Sequence, residues 1–334
     1  VGKENGYSDQ DRLVEYDAVD FGIEISTSIE NSDWAILPMS WNYYLENKKQ
    51  NLAIDFITSA KIANKKVLSW MSGDFGVRVP HFNNVIFLRQ SASLLLNRRI
   101  SRGMPVFILD PLKYTFNDYN IYARSWNRLP IIGFCGQTDG NIHTHIKDSC
   151  RILFRNLAFF TRLSLNEPQS IYPSLRLRES CLRILESSKD ISANFIRRRQ
   201  YRAGAKDKNS LLNTSLEYFN NIRSSDYVLC ARGGGNFSAR LYETLAMGRI
   251  PIYINTNGLL PLDGIINWKN HMVWVEKNEI NKLEEKILAF HEKLRGDDFI
   301  KLQLANRKLW ETHLRIFNFY AQLLAFEKKG NPIL

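Results

Sequence analysis

Much that would identify a protein is missing from this sequence. No apolar run reaches the length needed to span a bilayer, and residues 1–20 lack the apolar centre of a signal peptide. The numbering opens on Val1 rather than Met, so a trimmed chain is expected. Only four cysteines occur (Cys135, Cys150, Cys181 and Cys230), with no C-x-x-C pair. That spacing suits neither a zinc site nor a disulfide framework, and buried, reduced thiols in a cytosolic protein are expected. There is no G-x-G-x-x-G fingerprint and no Gly-Lys-Ser/Thr of a P-loop. There is also no zinc finger, RNP1 sequence, heptad-bearing basic region, internal repeat or low-complexity tract. One D-x-D spelling, Asp9-Gln10-Asp11, lacks a preceding apolar strand and reads as a solvated tail.

What is present suits an enzyme of two ordinary domains. The chain has 334 residues, 44% of them hydrophobic and 24% charged. The net charge of +11, from 45 basic and 34 acidic residues, favours anionic partners: nucleotide-sugars, anionic lipid or nucleic acid. Strand-like runs at 21–25, 34–38, 66–71, 85–88 and 106–109, with a helical pattern over 41–64, predict a first Rossmann-like sheet. Residues 113–128 read as a linker, and the α/β pattern restarts at 129–136. Helices are predicted at 147–162, 176–187, 211–222, 280–294 and 299–326.

The segment 225–268 organises the rest. A short apolar strand, 227–230, runs into Gly233-Gly234-Gly235. A helix follows, with Asn236 or Ser238 as its cap, and Gly248 ends it. A strand at 250–254 carries Pro251 near its start. Glycines feeding a helix N-terminus offer free N–H groups and a positive dipole end to an anion. Arg232 and Arg240 add full charges, whereas Glu243, a turn and a half into the helix, suits sugar hydroxyls. The alternative reading is a tight turn of any α/β protein.

This segment resembles the C-terminal motif of exostosin-like glycosyltransferases. The matches are Cys230, Gly233, Ser238, Arg240, Glu243, Leu245, Gly248, Pro251, Leu260-Pro261 and the run from Ile265 to Trp268. Ala231 and Thr244 depart from the pattern where Pro and Ala are common. A looser likeness reaches back to Gly73 and Asp74. The resemblance implies an α/β fold of two Rossmann-like domains facing a central cleft (GT-B). The domains are expected at 1–128 and 129–310, with a C-terminal helix, 311–334, crossing back to the first.

It also implies an inverting, metal-independent transferase of hexosyl or glycuronosyl type, with a nucleotide-sugar, by default a UDP-sugar, as co-substrate and no other cofactor. The donor would lie on Gly233, Gly234 and Gly235 with Asn236 and Ser238. Arg232 and Arg240 would neutralise the leaving diphosphate, and Glu243 would accept from the ribose. Arg198, in the Arg197-Arg198-Arg199 run, is either a second phosphate-facing group or part of a solvated basic turn. Asp74 would be the general base, with Asp110 and His81 next in line. The His143 and His145 pair lacks a third ligand for a metal.

The acceptor implied is a glycan or lipid-linked oligosaccharide of surface polysaccharide synthesis. A cytoplasmic location is expected, with peripheral contact at the anionic inner face of the membrane. A glycan on the sequon Asn236-Phe237-Ser238 would block the loop, which argues against secretion. Two other classes compete: a nucleotide-dependent oxidoreductase with a double α/β fold, and a non-catalytic nucleic-acid binder.

Overall fold

The computed structural model describes Glu24 and residues 26–328. The D-x-D spelling at 9–11, and all of the expected strand at 21–25 except Glu24, lie outside the described residues. The first sheet is parallel, in the order β1 (Ala35–Ile36), β2 (Val67–Trp70), β3 (Val85–Arg89), β4 (Ser101–Gly103). Its helices are α1 (Trp41–Glu46), α2 (Gln50–Ile62) and α3 (Pro111–Phe116). The helical pattern over 41–64 is therefore broken: Lys48 takes a left-handed φ of 55° between α1 and α2.

The second sheet is also parallel, with the order β6 (Ser192–Arg198), β5 (Ile131–Gln137), β7 (Tyr227–Cys230), β8 (Ile250–Asn255), β9 (Val273–Glu276). Around it lie α4 (Ile142–Phe160), α5 (Ser174–Glu186), α6 (Lys208–Arg223), α7 (Ala239–Ala246), α8 (Leu283–Glu292) and α9 (Asp297–Leu309), with α10 (Ile316–Lys328) last. Strand order reverses at β5, which has β6 on one side and β7 on the other. Open α/β sheets bind ligands beyond the carboxyl ends of strands at such a switch. β7 is wholly buried, which explains its unbroken Tyr-Val-Leu-Cys run.

The two sheets share one core. Leu68, Leu88 and Met104 of the first domain pack in the same cluster as Val228, Leu241 and Leu245 of the second. A Cβ at Gly103 would lie 2.2 Å from the Leu260 carbonyl oxygen, so β4 meets the second domain backbone to backbone. Arg307 on α9 grips Asp110 with two bonds of 2.9 and 2.6 Å. α10 lies on the first domain: Phe319 and Tyr320 meet Phe107, and Glu327 accepts from Arg102 at 2.6 Å. Two Rossmann-like sheets facing across a seam, strapped by a returning C-terminal helix, are the expected fold class.

Three local expectations fail. Residues 106–109 form no strand. Pro105 withholds a ladder donor at their start, and Phe107 packs on α10 instead. The single helix expected over 299–326 is two. A π turn, Trp310–Leu314, and an extended Arg315 redirect the chain so that Phe319 and Leu323 reach the shared core. Cys150 is exposed on α4, while Cys135, Cys181 and Cys230 are buried as expected.

Candidate donor site at the glycine loop

The loop from Ala231 to Ser238 joins β7 to α7 at the switch point. None of its three glycines has a positive φ, and two of them, Gly234 and Gly235, are needed for space. A Cβ on Gly234 would lie 2.7 Å from the Asp74 carboxylate Oδ2, and one on Gly235 2.3 Å from the Asp74 carbonyl oxygen. The first domain thus presses Asp74 directly onto the second domain's loop. The Asn236 amide reinforces the junction by donating to Ser91 Oγ at 2.8 Å. Among the described residues, the Gly234 and Gly235 amides donate to no protein acceptor.

Asn236 is buried, its side chain bonded to Thr256, which leaves no room for a glycan. Ser238 is the helix N-cap residue, but its side chain makes no capping bond. Gly248 ends α7 with φ of 62°, as expected.

The cations around this loop are unusual. Arg232 is only 5% exposed; its one bond, to the Gly234 carbonyl, is a long 3.4 Å, and its Nε has no partner. Arg178, on α5, donates to the Gln137 carbonyl at 3.1 Å and lies 3.7 Å from the place of a Gly233 Cβ, again with a buried, unpartnered Nε. Arg155, on α4, stacks over the Phe75 ring with its Nε buried and unpartnered. None of these three has a carboxylate ion-pair partner among the described residues.

Burial pulls the Arg178 guanidinium down to about 9, with Arg240 and Arg232 repelling it further. Burial likewise takes Arg232 down to about 10, helped by Arg155. Lys277 is lowered by burial and then by Arg232. Five cations, Arg155, Arg178, Arg232, Arg240 and Lys277, therefore sit close enough to destabilise one another. Arginine keeps its proton in proteins, so these depressions measure a standing cost of unpaired charge that an anion would remove.

Arg240 and Glu243 lie on the inner side of α7. Arg240 donates to the Leu229 and Cys135 carbonyls at 3.2 and 2.8 Å and stacks on Phe134, 4.3 Å from its centroid. Its Nε is buried and unpartnered. Glu243 accepts from the Tyr218 hydroxyl of α6; burial raises its carboxyl pKa, opposed by that bond and by Arg240. Burial, and next Glu243, push the Tyr218 hydroxyl well up.

The structure thus gathers Asp74, Arg232, Gly233, Gly234, Gly235, Asn236 and Ser238, with Arg240 and Glu243 one turn behind. Arg198 is held elsewhere: its guanidinium bonds Glu217 and the Thr214 carbonyl of α6. Asp110 caps α3 and grips Arg307, and His81 is an exposed loop residue. His143 is exposed while His145 is buried against the Asp139 carbonyl, so the pair diverges on α4. Among the described residues, no three His, Cys, Asp or Glu come together as metal ligands.

Reading the sequence missed Arg155, Arg178, Lys277 and Tyr218. A signal existed for Arg178. It shares the i, i+3, i+4, i+7 face of Cys181, Leu182 and Leu185, all buried, so it occupies a core position of its helix.

Known proteins bear on this geometry. Residues 129–289 match the Exostosin GT47 domain. Two probable glycosyltransferases of Arabidopsis thaliana are 30% identical over 74 residues and 31% identical over 91, or 22% and 26% of this chain. A probable glucuronosyltransferase of Oryza sativa subsp. japonica is 28% identical over 99 residues, 29% of this chain. The matched segments span 15%, 19% and 23% of these relatives' lengths. Among solved structures, a glycosyltransferase from Rickettsia africae ESF-5 is similar at a TM-score of 0.36 and 14% identity, covering 83% of this chain and 74% of that one. TarM is similar at 0.35 and 8%, covering 80% and 51%. Residues 129–289, just under half of the chain, thus carry an Exostosin GT47 domain.

Proposed function

We propose that the protein is an inverting glycosyltransferase that moves a sugar from a nucleotide-sugar, by preference a UDP-sugar, to a hydroxyl of a glycan or lipid-linked oligosaccharide. The observation that carries this reading is the set of buried, unpaired cations around a glycine loop, facing a carboxylate from the other domain. Unpaired buried charge is costly in an empty site and becomes favourable when a diphosphate enters. Arg178, Arg232 and Lys277 take the phosphates in this reading, with the free loop amides, and Arg155 flanks them. Arg198, engaged by Glu217, is left out of that role.

The chemistry then divides by domain. Charge growing on the leaving nucleotide is stabilised by the preorganised arginines and the α7 N-terminus, without a metal. Glu243, near Arg240 and Tyr218, accepts from the ribose. Asp74 takes the acceptor proton as the acceptor oxygen attacks the anomeric carbon and the carbon–phosphate oxygen bond breaks. One displacement inverts the anomeric centre. The reading places the reaction in the cytosol, where four free thiols stay reduced.

A thermal-shift screen of nucleotides and nucleotide-sugars tests the donor class. UDP and at least one UDP-sugar should raise the melting temperature. Stabilisation by a nicotinamide dinucleotide alone would contradict the reading. Transfer should continue in excess EDTA, and NMR of the product should show an inverted anomeric centre; loss of activity to EDTA, or retention, would overturn the metal-free single displacement.

A further inference from the structure

We propose that the outward face of α4 is a docking surface for an anionic lipid bilayer. The helix has 19 residues. Its inward side is fixed by buried His145, Asn156 and Phe159. Turned about a third of a revolution away, at heptad spacing, are Ile146, Leu153, Leu157 and Phe160, all exposed, with Phe154 beside them. Phe160 is 62% exposed, and Leu163, just past the helix, is 84% exposed. Single exposed apolar residues need no explanation, but a stripe along one helix does.

Exposed basic residues accompany the stripe: Lys147 and Arg151 lie further round the helix, and Arg162 lies just past its end. From residue 147 to 176 the exposed charged residues are Lys147, Arg151, Arg162 and Arg176, against the half-buried Asp148 and the acid Glu167. Glu167 is buried against Arg89.

This charge pattern selects the occupant. Two copies meeting through this face about a two-fold axis would pair the same patch with itself. Each would bring the same basic rim, and the helix's one acid, Asp148, is already bonded to Arg151 at 3.0 Å. An anionic bilayer is complementary on both counts. Phe and Leu enter the acyl boundary, and Lys and Arg stay at the headgroups.

The other side of the same helix reaches the candidate site. Arg155 stacks on Phe75, 3.9 Å from its centroid, next to Asp74. A bilayer on the outward side would therefore set a lipid-linked acceptor beside the general base, a consequence that rests on the proposed function.

Co-sedimentation of the full chain with vesicles tests the docking. One set is phosphatidylcholine; the other contains roughly a third phosphatidylglycerol. The wild type should partition at least about tenfold more strongly to the anionic set. Leu157→Glu with Phe160→Glu, and separately Arg151→Glu with Arg162→Glu, should each lower that partitioning about tenfold or more at unchanged circular dichroism. Cys150, on the stripe and the one exposed cysteine of the four, accepts a polarity-sensitive dye. Its emission should shift to the blue with anionic vesicles. No preference for anionic vesicles, unchanged partitioning of both variants, or no shift would overturn the proposal. A wild-type dimer that light scattering shows to be split by Leu157→Glu would assign the face to a second copy instead. Lipid binding without UDP binding would refute only the proposed function, and the converse only the docking.

Discussion

The same residue, arginine, is used in two opposite ways in this molecule. Along the seam, four guanidinia meet carboxylates: Arg89 with Glu167, Arg102 with Glu327, Arg124 with Asp226 and Arg307 with Asp110, while buried Arg249 is held by carbonyls and Gln303. Around the glycine loop, Arg155, Arg178, Arg232 and Arg240 are comparably sheltered, yet each keeps a buried, unpartnered Nε and has no ion-pair partner among the described residues. The seam cations are satisfied by the fold. The loop cations are left to be satisfied by something that arrives. A buried charge without its partner costs several kcal/mol, so a fold retains a group of them only against a compensating use.

That contrast can be broken experimentally, and the largest effect should come from the seam. Arg307→Met leaves Asp110 buried without its bidentate partner and frees the Ala246 carbonyl. It should cost roughly 3 kcal/mol or more in chemical denaturation. A loss under about 1 kcal/mol would mean the seam pairs are no more structural than surface pairs.

Next comes Asp74→Asn, which should bind donor normally but slow transfer by about a hundredfold or more, the scale of a lost general base. Near-normal turnover would return the role to another group. Asp110, already committed to Arg307 and to its helix cap, is then a poorer successor than exposed His81.

Arg178→Met sharpens the comparison, because it should behave opposite to Arg307→Met. Removing an unpaired buried charge should leave the free protein as stable as before, or more so. UDP affinity should nonetheless fall roughly tenfold, as for a lost charge-assisted hydrogen bond. Destabilisation like that of Arg307→Met would place Arg178 with the seam.

The smallest effect concerns pH and Glu243. Burial raises its folded-state carboxyl pKa above the unfolded value. Its contribution to stability is therefore greatest when protonated, below the unfolded pKa, and is lost as pH rises through the folded one. Ribose recognition runs the other way, since it needs the carboxylate. UDP affinity should weaken a few-fold as pH falls through the raised pKa of Glu243, and this fall should be smaller in Glu243→Gln. An identical pH profile in the variant would remove Glu243 from nucleotide recognition.

Sequence reading recovered what depends on contiguous residues. The buried run at 227–230, the glycines and the Gly248 stop lie within about twenty residues and announce a strand, loop and helix. It failed where the deciding partner is remote. Residues 106–109 have a strand's composition, but α10 supplies their neighbour. β4 is a polar Ser-Arg-Gly that composition does not mark, and its place is set by β3 and by Leu260. Arg198 looked like a phosphate ligand until α6 brought Glu217 to it. Arg155 looked like an ordinary helix residue, because the sequence does not show which side of a helix faces a cleft; Arg178, on the apolar face of α5, carried a signal that went unused. The closeness of Asp74 to Gly234 is likewise a property of two domains, and no local pattern encodes it.

The central claim is that the loop cations wait for phosphate. Calorimetric titration of UDP and of uridine into wild type, Arg232→Met and Arg178→Met tests it most directly. The account predicts that UDP binds wild type at least about tenfold more tightly than uridine, and that each variant erases most of that difference while leaving uridine binding unchanged. Equal affinity of wild type for UDP and uridine, or an undiminished UDP advantage in both variants, would contradict it.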